Sequence, residues 1–249
     1  MIKYGLKIWS NNTDWFNEAL ELYKNKDIDF IEVYHNPNIE LDFESLKVFQ
    51  NVPTTIHACH DDGFHIFKIT ETEINIWNET LKLADFLKSK YIILHTGIGH
   101  TIETFKQELE KIDNDRILLE NMSSLDLLHN EMSFHNLESL REIRAMKEMC
   151  FDFEKAFKSS VYEKKDYEQF ITECLEEFKP FYFHISGGKK SNPVNEHLDV
   201  WEADFDVKWT KSKLEETFKD GECFIAFEVP KKDGNLENDL KNIDYFKNL

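Results

Sequence analysis

Six apolar runs of this chain end on a metal-ligating type of side chain: His57 after TTI, His95 after IIL, Glu120 after ILL, Asp152 after CF, His184 after FYF and Glu228 after IAF. Such a group at the end of an apolar run is costly to bury unless something holds it. Imidazole with carboxylate is a ligand set for Zn2+, Mn2+ or Fe2+, and few carboxylates favour zinc. Beside such an ion, one carboxylate can remove a proton next to a carbonyl and a second can return it. Each residue alone has a plainer explanation. A single His57 reads as a hydrogen-bonded loop residue, and Asp152 reads as a helix cap. Six coinciding at equivalent positions point to a metal centre.

What places them together is the element pattern. Short β-like runs at 3–9, 28–34, 53–60, 91–95, 116–120, 148–153, 180–186 and 222–229 alternate with helical stretches. The helices are expected at about 13–26, 42–50, 72–89, 102–112, 135–147, 163–178, 211–219 and 236–248, the first capped by Asn12 or Thr13. Strand–helix alternation implies parallel strands. Eight repeats in 249 residues have the count and size of a single α/β domain over 1–249, a (β/α)8 TIM barrel. A doubly wound open sheet is the alternative, but no GxGxxG turn is present. In a barrel the C-terminal strand ends share one face, so Trp9, Glu32 or Tyr34, and the six residues above would converge there.

Composition narrows the partners. A net charge of −18 disfavours general DNA or RNA binding. No run reaches the ~18 apolar residues of a membrane span, and the N-terminal apolar segment is too short for a signal peptide. A soluble cytoplasmic protein is expected, and a homo-oligomer is compatible with the sequence. The four cysteines, Cys59, Cys150, Cys174 and Cys223, form no CxxC pair and read as reduced, buried thiols.

The segments IHACH (56–60), ILHTG (93–97), LLEN (118–121), CFDF (150–153), FHISG (183–187), NEHLD (195–199) and FEVP (227–230), in this order and spacing, give the whole chain a further property. It resembles the xylose isomerase-like TIM barrel superfamily, which holds sugar and sugar-phosphate isomerases and epimerases together with endonuclease IV-like enzymes. The resemblance implies that Glu120, Asp152, His184 and Glu228 hold one divalent metal, zinc or manganese. In endonuclease-like members the residues matching His57 and His95 join Glu120 to hold a second ion. One or two ions are therefore implied, with Glu120 as the bridge if there are two. The chain departs from the endonuclease pattern elsewhere. Lys155 and Asn195 stand at two of the three ligand positions of a third zinc, and only His197 is retained. In the loop HNPN, Asn38 replaces the arginine that enters DNA.

The resemblance implies a metal-dependent isomerase or epimerase of a sugar or sugar phosphate, with Glu120 and Glu228 as the catalytic proton-transfer pair. The alternatives are a dinuclear phosphoesterase of the endonuclease IV-like type and a barrel that binds a ligand without turnover. Lys189 and Lys190 after strand seven, and Lys231 and Lys232 after strand eight, lie where barrels often bind phosphate, with Gly187 and Gly188 beside the first pair. Lys155 would put a fixed positive charge at the lost metal position, and His197 would contact substrate. Trp9, Tyr34, Phe64 and Trp201 could give apolar faces to a sugar ring or could pack. His60, His65, His100, His129 and His135 read as loop histidines, the first and third near the site.

Overall fold

The computed structural model describes residues 1–60, 64, 66–232 and 234–249; His65 and most of the DDGFH loop lie outside the described residues. Eight strands form one closed parallel barrel in sequence order. They are β1 (Ile2–Trp9), β2 (Phe30–Tyr34), β3 (Thr54–His57), β4 (Ile92–His95), β5 (Ile117–Glu120), β6 (Glu148–Asp152), β7 (Tyr182–Ile185) and β8 (Cys223–Phe227). Around them lie α1 (Phe16–Asn25), α2 (Phe43–Leu46), α3 (Glu71–Leu87), α4 (Ile102–Glu110), α5 (Leu137–Arg144), α6 (Phe153–Tyr162), α7 (Tyr167–Phe178), α8 (Val207–Thr217) and α9 (Glu237–Lys247). Among the described residues no helix is long and apolar enough to cross a membrane. The four cysteines are free and buried.

The register builds the barrel's tilt. Lys7 pairs with Glu32, His95 with Glu120 and Asp152 with His184 on one level. At four other joints the level slips by two residues: Glu32 faces Thr55, His57 faces Ile93, Glu120 faces Cys150 and His184 faces Ala226. Four slips of two make eight, the shear of a TIM barrel. Because side chains alternate along a strand, these slips keep one parity of residues pointing inward all the way round.

That parity divides the interior into a floor and a mouth. Phe30, Ile93, Leu118, Cys150, Tyr182 and Ala226 form a buried apolar cluster. Gly5 completes it: a Cβ there would meet the Phe30 ring at 2.5 Å, so glycine makes room for that ring. Two residues further along each strand stand the charged groups of the mouth. A larger apolar layer between strands and helices holds the outside of the barrel.

Two local expectations are corrected. Asn12 does not cap α1; its Oδ1 accepts a hydrogen bond from the Trp9 N–H, and a 3-10 turn over Thr13–Trp15 leads into the helix. A helix not expected from the sequence, α6, follows β6 directly, and the expected 163–178 helix begins only at Tyr167. Asp152 serves twice, as the last residue of β6 and as the cap of α6, accepting from the Lys155 N–H at 2.9 Å. The apolar stripe of α6 is Phe153, Ala156, Phe157 and Val161, and the polar residues of 153–160 are buried as well.

Candidate metal centre at the barrel mouth

The inward residues two positions beyond the floor are Lys7, Glu32, His57, His95, Glu120, Asp152 and His184, one from each of β1 to β7, and Glu228 immediately after β8, all ionisable. Glu32, His57, Glu120, Asp152 and His184 are fully buried, and Glu228 is 6% exposed.

Glu120 lies between two groups of partners. Its Oε2 is 3.3 Å from His57 Nε2 and 2.9 Å from His95 Nε2. Its Oε1 is 2.9 Å from His184 Nδ1 and accepts from the Lys155 ammonium at 2.5 Å. Lys155 Nζ is also 3.1 Å from His95 Nε2 and 3.7 Å from Asp152 Oδ2. Glu228 Oε1 is ion-paired with Lys7 and 3.1 Å from His184 Nδ1; its Oε2 is 3.3 Å from His197 Nδ1. Beneath them, His184 Nε2 lies 2.9 Å from Glu32 Oε2, which also accepts from the Tyr182 hydroxyl at 2.7 Å. Glu32 thus orients the ring so that Nδ1 faces Glu120 and Glu228, the arrangement by which a carboxylate fixes a metal-binding histidine. Asn121 ties β5 to β6: its amide donates to the Asp152 carbonyl and accepts the Asp152 N–H.

The electrostatics follow from burial and these contacts. Burial would raise the Glu120 carboxyl, but Lys155, His184 and His95 hold it well below the ordinary range. Burial likewise opposes ionisation of Glu228, and His184, Lys7 and His197 overcome it. Asp152 differs: burial pushes its carboxyl up to about 8. Burial, with Lys7 beside it, lowers His57 to about 4, and burial lowers His197 to about 4, so both rings are neutral at neutral pH. Against burial, Glu228 and Glu32 keep Lys7 charged, and Glu120 and Asp152 keep Lys155 charged.

A divalent cation fits this donor set. Single ligand atoms of Glu120, Asp152, His184 and Glu228 all lie within 4.8 Å of one another. Among the described residues Asp152 Oδ2 is buried without a hydrogen-bond partner, which is costly unless a charge or ion satisfies it. His57, His60 and His95, and separately Glu32, His57, His184 and Glu228, also cluster at ligand spacing.

A cavity of about 490 Å3 opens above, lined by Lys7, Trp9, Tyr34, His60, His95, His197, Glu228, Val229, Pro230 and Lys231 among others. Trp9 and Tyr34 meet edge to face at 6.2 Å, and the His60 ring stacks on His95 at 3.9 Å. Other expected substrate contacts are engaged elsewhere. The Lys189 ammonium is 3.3 Å from Asp204, and Lys231 and Lys232 are ion-paired with Asp239 and Asp199, so these charges are already matched to aspartates. The Lys190 N–H donates to Asp204. Gly187 and Gly188 serve close packing: a Cβ would run into the Asp199 carbonyl oxygen at the first and come within 2.7 Å of Glu154 Oε1 at the second. Phe64 is buried near Trp77, Trp201 packs on Tyr245, and His100 sits against Phe105 and Phe134. His135 Nδ1 bonds the Met132 carbonyl, and His129 sits at a left-handed turn of the β5–α5 loop.

Sequence reasoning missed Lys7, Glu154 and Lys158. Glu154 is buried in α6 and accepts from the Ser186 hydroxyl and from the N–H groups of Glu196 and His197. Lys158 donates to the Lys189 and Asn192 carbonyls and to Glu196. Together they clamp the β7–α8 loop onto α6 and so place His197 beside Glu228. The available signal for Lys7 is a lysine interrupting the apolar strand KYGLKIW two residues before its end.

The chain is thus a TIM barrel with a buried carboxylate–imidazole cluster at the C-terminal ends of its strands. No family model and no curated protein sequence matches it. Solved structures do. Endonuclease IV from Thermus thermophilus superposes with a TM-score of 0.74 at 18% identity, covering 99% of this chain and 98% of that one. A D-tagatose 3-epimerase-like protein gives 0.67 at 17% identity, covering 99% and 96%. The 3-keto-D-glucoside 4-epimerase of E. coli gives 0.66 at 12%, covering both chains fully. The chain shares its barrel fold with an endonuclease and with epimerases alike.

Proposed function

We propose that the protein is a divalent-metal-dependent isomerase or epimerase of a small sugar or sugar derivative. The observation that carries this is the convergence of Glu120, Asp152, His184 and Glu228, with Asp152 Oδ2 lacking a hydrogen-bond partner among them. These four would hold the ion, zinc or manganese. When bound, the ion polarises a substrate carbonyl and its neighbouring hydroxyl. Glu120 and Glu228 are the proton-transfer pair. The surrounding cations keep both ionised, so either can accept the proton α to the carbonyl. Lys7 orients Glu228 from the barrel side and His197 from the loop side. Trp9 and Tyr34 offer apolar ring faces in the cavity, and the neutral His197 offers a hydrogen bond. The ammonium groups of Lys189 and Lys231 are paired with aspartates, which favours an unphosphorylated substrate. Four reduced thiols suit a cytoplasmic setting.

One observation favours a second reading, a dinuclear phosphoesterase: His57 and His95 both face Glu120 Oε2, at 3.3 and 2.9 Å. A net charge of −18 argues against nucleic acid as its substrate. Incubating the metal-loaded protein in deuterated water with aldoses, ketoses and their phosphates separates the readings. NMR should show loss of the α-proton signal of one sugar. Absence of exchange across the panel, together with cleavage of a small phosphodiester, would favour the phosphoesterase.

A further inference from the structure

Lys155 is a cation that reaches both halves of the Glu120 environment. Its ammonium bonds Glu120 Oε1 at 2.5 Å and lies 3.1 Å from His95 Nε2 and 3.7 Å from Asp152 Oδ2. It is anchored there by its own backbone, whose N–H caps onto Asp152 Oδ1 at the first turn of α6. Its side chain is 3% exposed, so these partners rather than water satisfy the ammonium. Two sets of donors meet at this point. One is the quartet Glu120, Asp152, His184 and Glu228. The other is His57 Nε2, His95 Nε2 and Glu120 Oε2, three atoms that could serve a second ion.

We propose that the Lys155 ammonium, held on Glu120 Oε1 and engaging His95 Nε2, takes the place of a second cation beside His57, His95 and Glu120, so that the mouth binds one divalent ion and not two. The inference rests on the metal-centre reading above and specifies the number of ions.

Charge balance supports it. In the ligating state, with Asp152 ionised and His184 a neutral imidazole as metal binding requires, the mouth buries four carboxylates, Glu32, Glu120, Asp152 and Glu228, against two ammonium groups, Lys7 and Lys155, leaving two negative charges. One divalent ion in the quartet cancels them. A second would leave a surplus of two positive charges in a buried site, beside a lysine tethered to the first turn of α6. Burying uncompensated charge is among the most unfavourable arrangements available to a protein. The geometry agrees. His95 Nε2 cannot present its lone pair both to Lys155 and to an ion. A fixed ammonium supplies positive charge but cannot lower the pKa of a bound water as a metal does, so the site lacks the two-ion activation of a hydroxide used in phosphoester hydrolysis. It keeps what proton transfer beside an uncharged sugar needs.

Metal stoichiometry tests this without reference to turnover. The full chain, stripped with chelator, is equilibrated with excess Mn2+ alone, dialysed and measured by elemental analysis. The wild type should carry one ion per chain. Lys155→Arg, which keeps the charge, should also carry one. Lys155→Ala, which removes it, should carry two, and Lys155→Ala with His95→Ala should return to one. Circular dichroism before and after Mn2+ checks that each variant is folded. If Lys155→Ala is unfolded without metal, its melting temperature in excess Mn2+ reports whether the second ion replaces the ammonium. Two ions in the wild type, or one in a folded Lys155→Ala, overturn the proposal while leaving the metal centre standing. No ion in the wild type removes both.

Discussion

The floor and the mouth of this barrel are built from the same strands, two residues apart, and they are chemical opposites. On β5 the inward residues are Leu118 and then Glu120; on β6, Cys150 and then Asp152; on β7, Tyr182 and then His184. The floor is an apolar cluster in which Phe30 packs edge-on against Tyr182 and Phe224, with ring centroids 5.7 and 5.5 Å apart. The mouth puts four carboxylates, two ammonium groups and the imidazoles of His57, His95 and His184 into a similar cross-section. The floor stabilises through area removed from water. The mouth gives up part of that stability to hold charges in fixed positions, the usual relation between a rigid scaffold and a reactive site. Glu32 joins the layers: its carboxylate takes the Tyr182 hydroxyl from below and His184 from above.

Changes two residues apart on one strand should therefore have separable effects. Glu120→Gln should slow proton exchange by about 1000-fold or more, because it removes both a ligand and a proton acceptor, while the chain stays folded. Isotope exchange and circular dichroism on the same sample check this. Phe30→Ala in the floor should do the reverse. It should cost about 3–5 kcal/mol of stability through lost area and a cavity, with metal content unchanged, read by denaturant unfolding and elemental analysis. Glu32→Gln lies on the boundary and should weaken metal affinity by about 10–100-fold, because the His184 ring loses the carboxylate that orients it. Competition with a metal-binding dye measures that.

A smaller effect lies outside both layers. His35 is fully buried, its Nδ1 is 2.8 Å from the Thr80 hydroxyl, and burial lowers its pKa to about 4. The unfolded ring titrates near 6.5, so below that pH the unfolded chain binds a proton that the folded chain does not. Stability should therefore fall as pH drops from about 6.5 to about 4. His35 should account for up to ~3 kcal/mol of that loss, by the 1.36 kcal/mol that each pKa unit represents. Melting temperatures of the wild type and His35→Gln across this range give the difference; equal slopes would refute the assignment.

The barrel is legible in the sequence because its strands are apolar, short and evenly spaced, and because Glu120, Asp152, His184 and Glu228 each end such a run. What the sequence conceals depends on contacts distant along the chain. Lys7 sits within β1, and a strand end at Trp9 hides the residue of inward parity two positions earlier. α6 is hidden for a local reason: it follows β6 with no linker, so that Phe153, the first residue of its apolar stripe, reads as the end of the strand. The glycines and lysines after β7 and β8 suggest a phosphate site. Their partners Asp204, Asp199 and Asp239 come from elements whose proximity only the closed barrel reveals. His60 reads as a loop residue near the site, and its stacking on His95 depends on how the chain leaves β3.

The central claim is that the quartet holds an ion. Crystals grown with Mn2+ and measured near the manganese absorption edge give the direct test. An anomalous peak should lie between Glu120, Asp152, His184 and Glu228, with Asp152 Oδ2 among its ligands. A map with no peak at the mouth, from protein shown to be folded and exposed to excess metal, would contradict the claim.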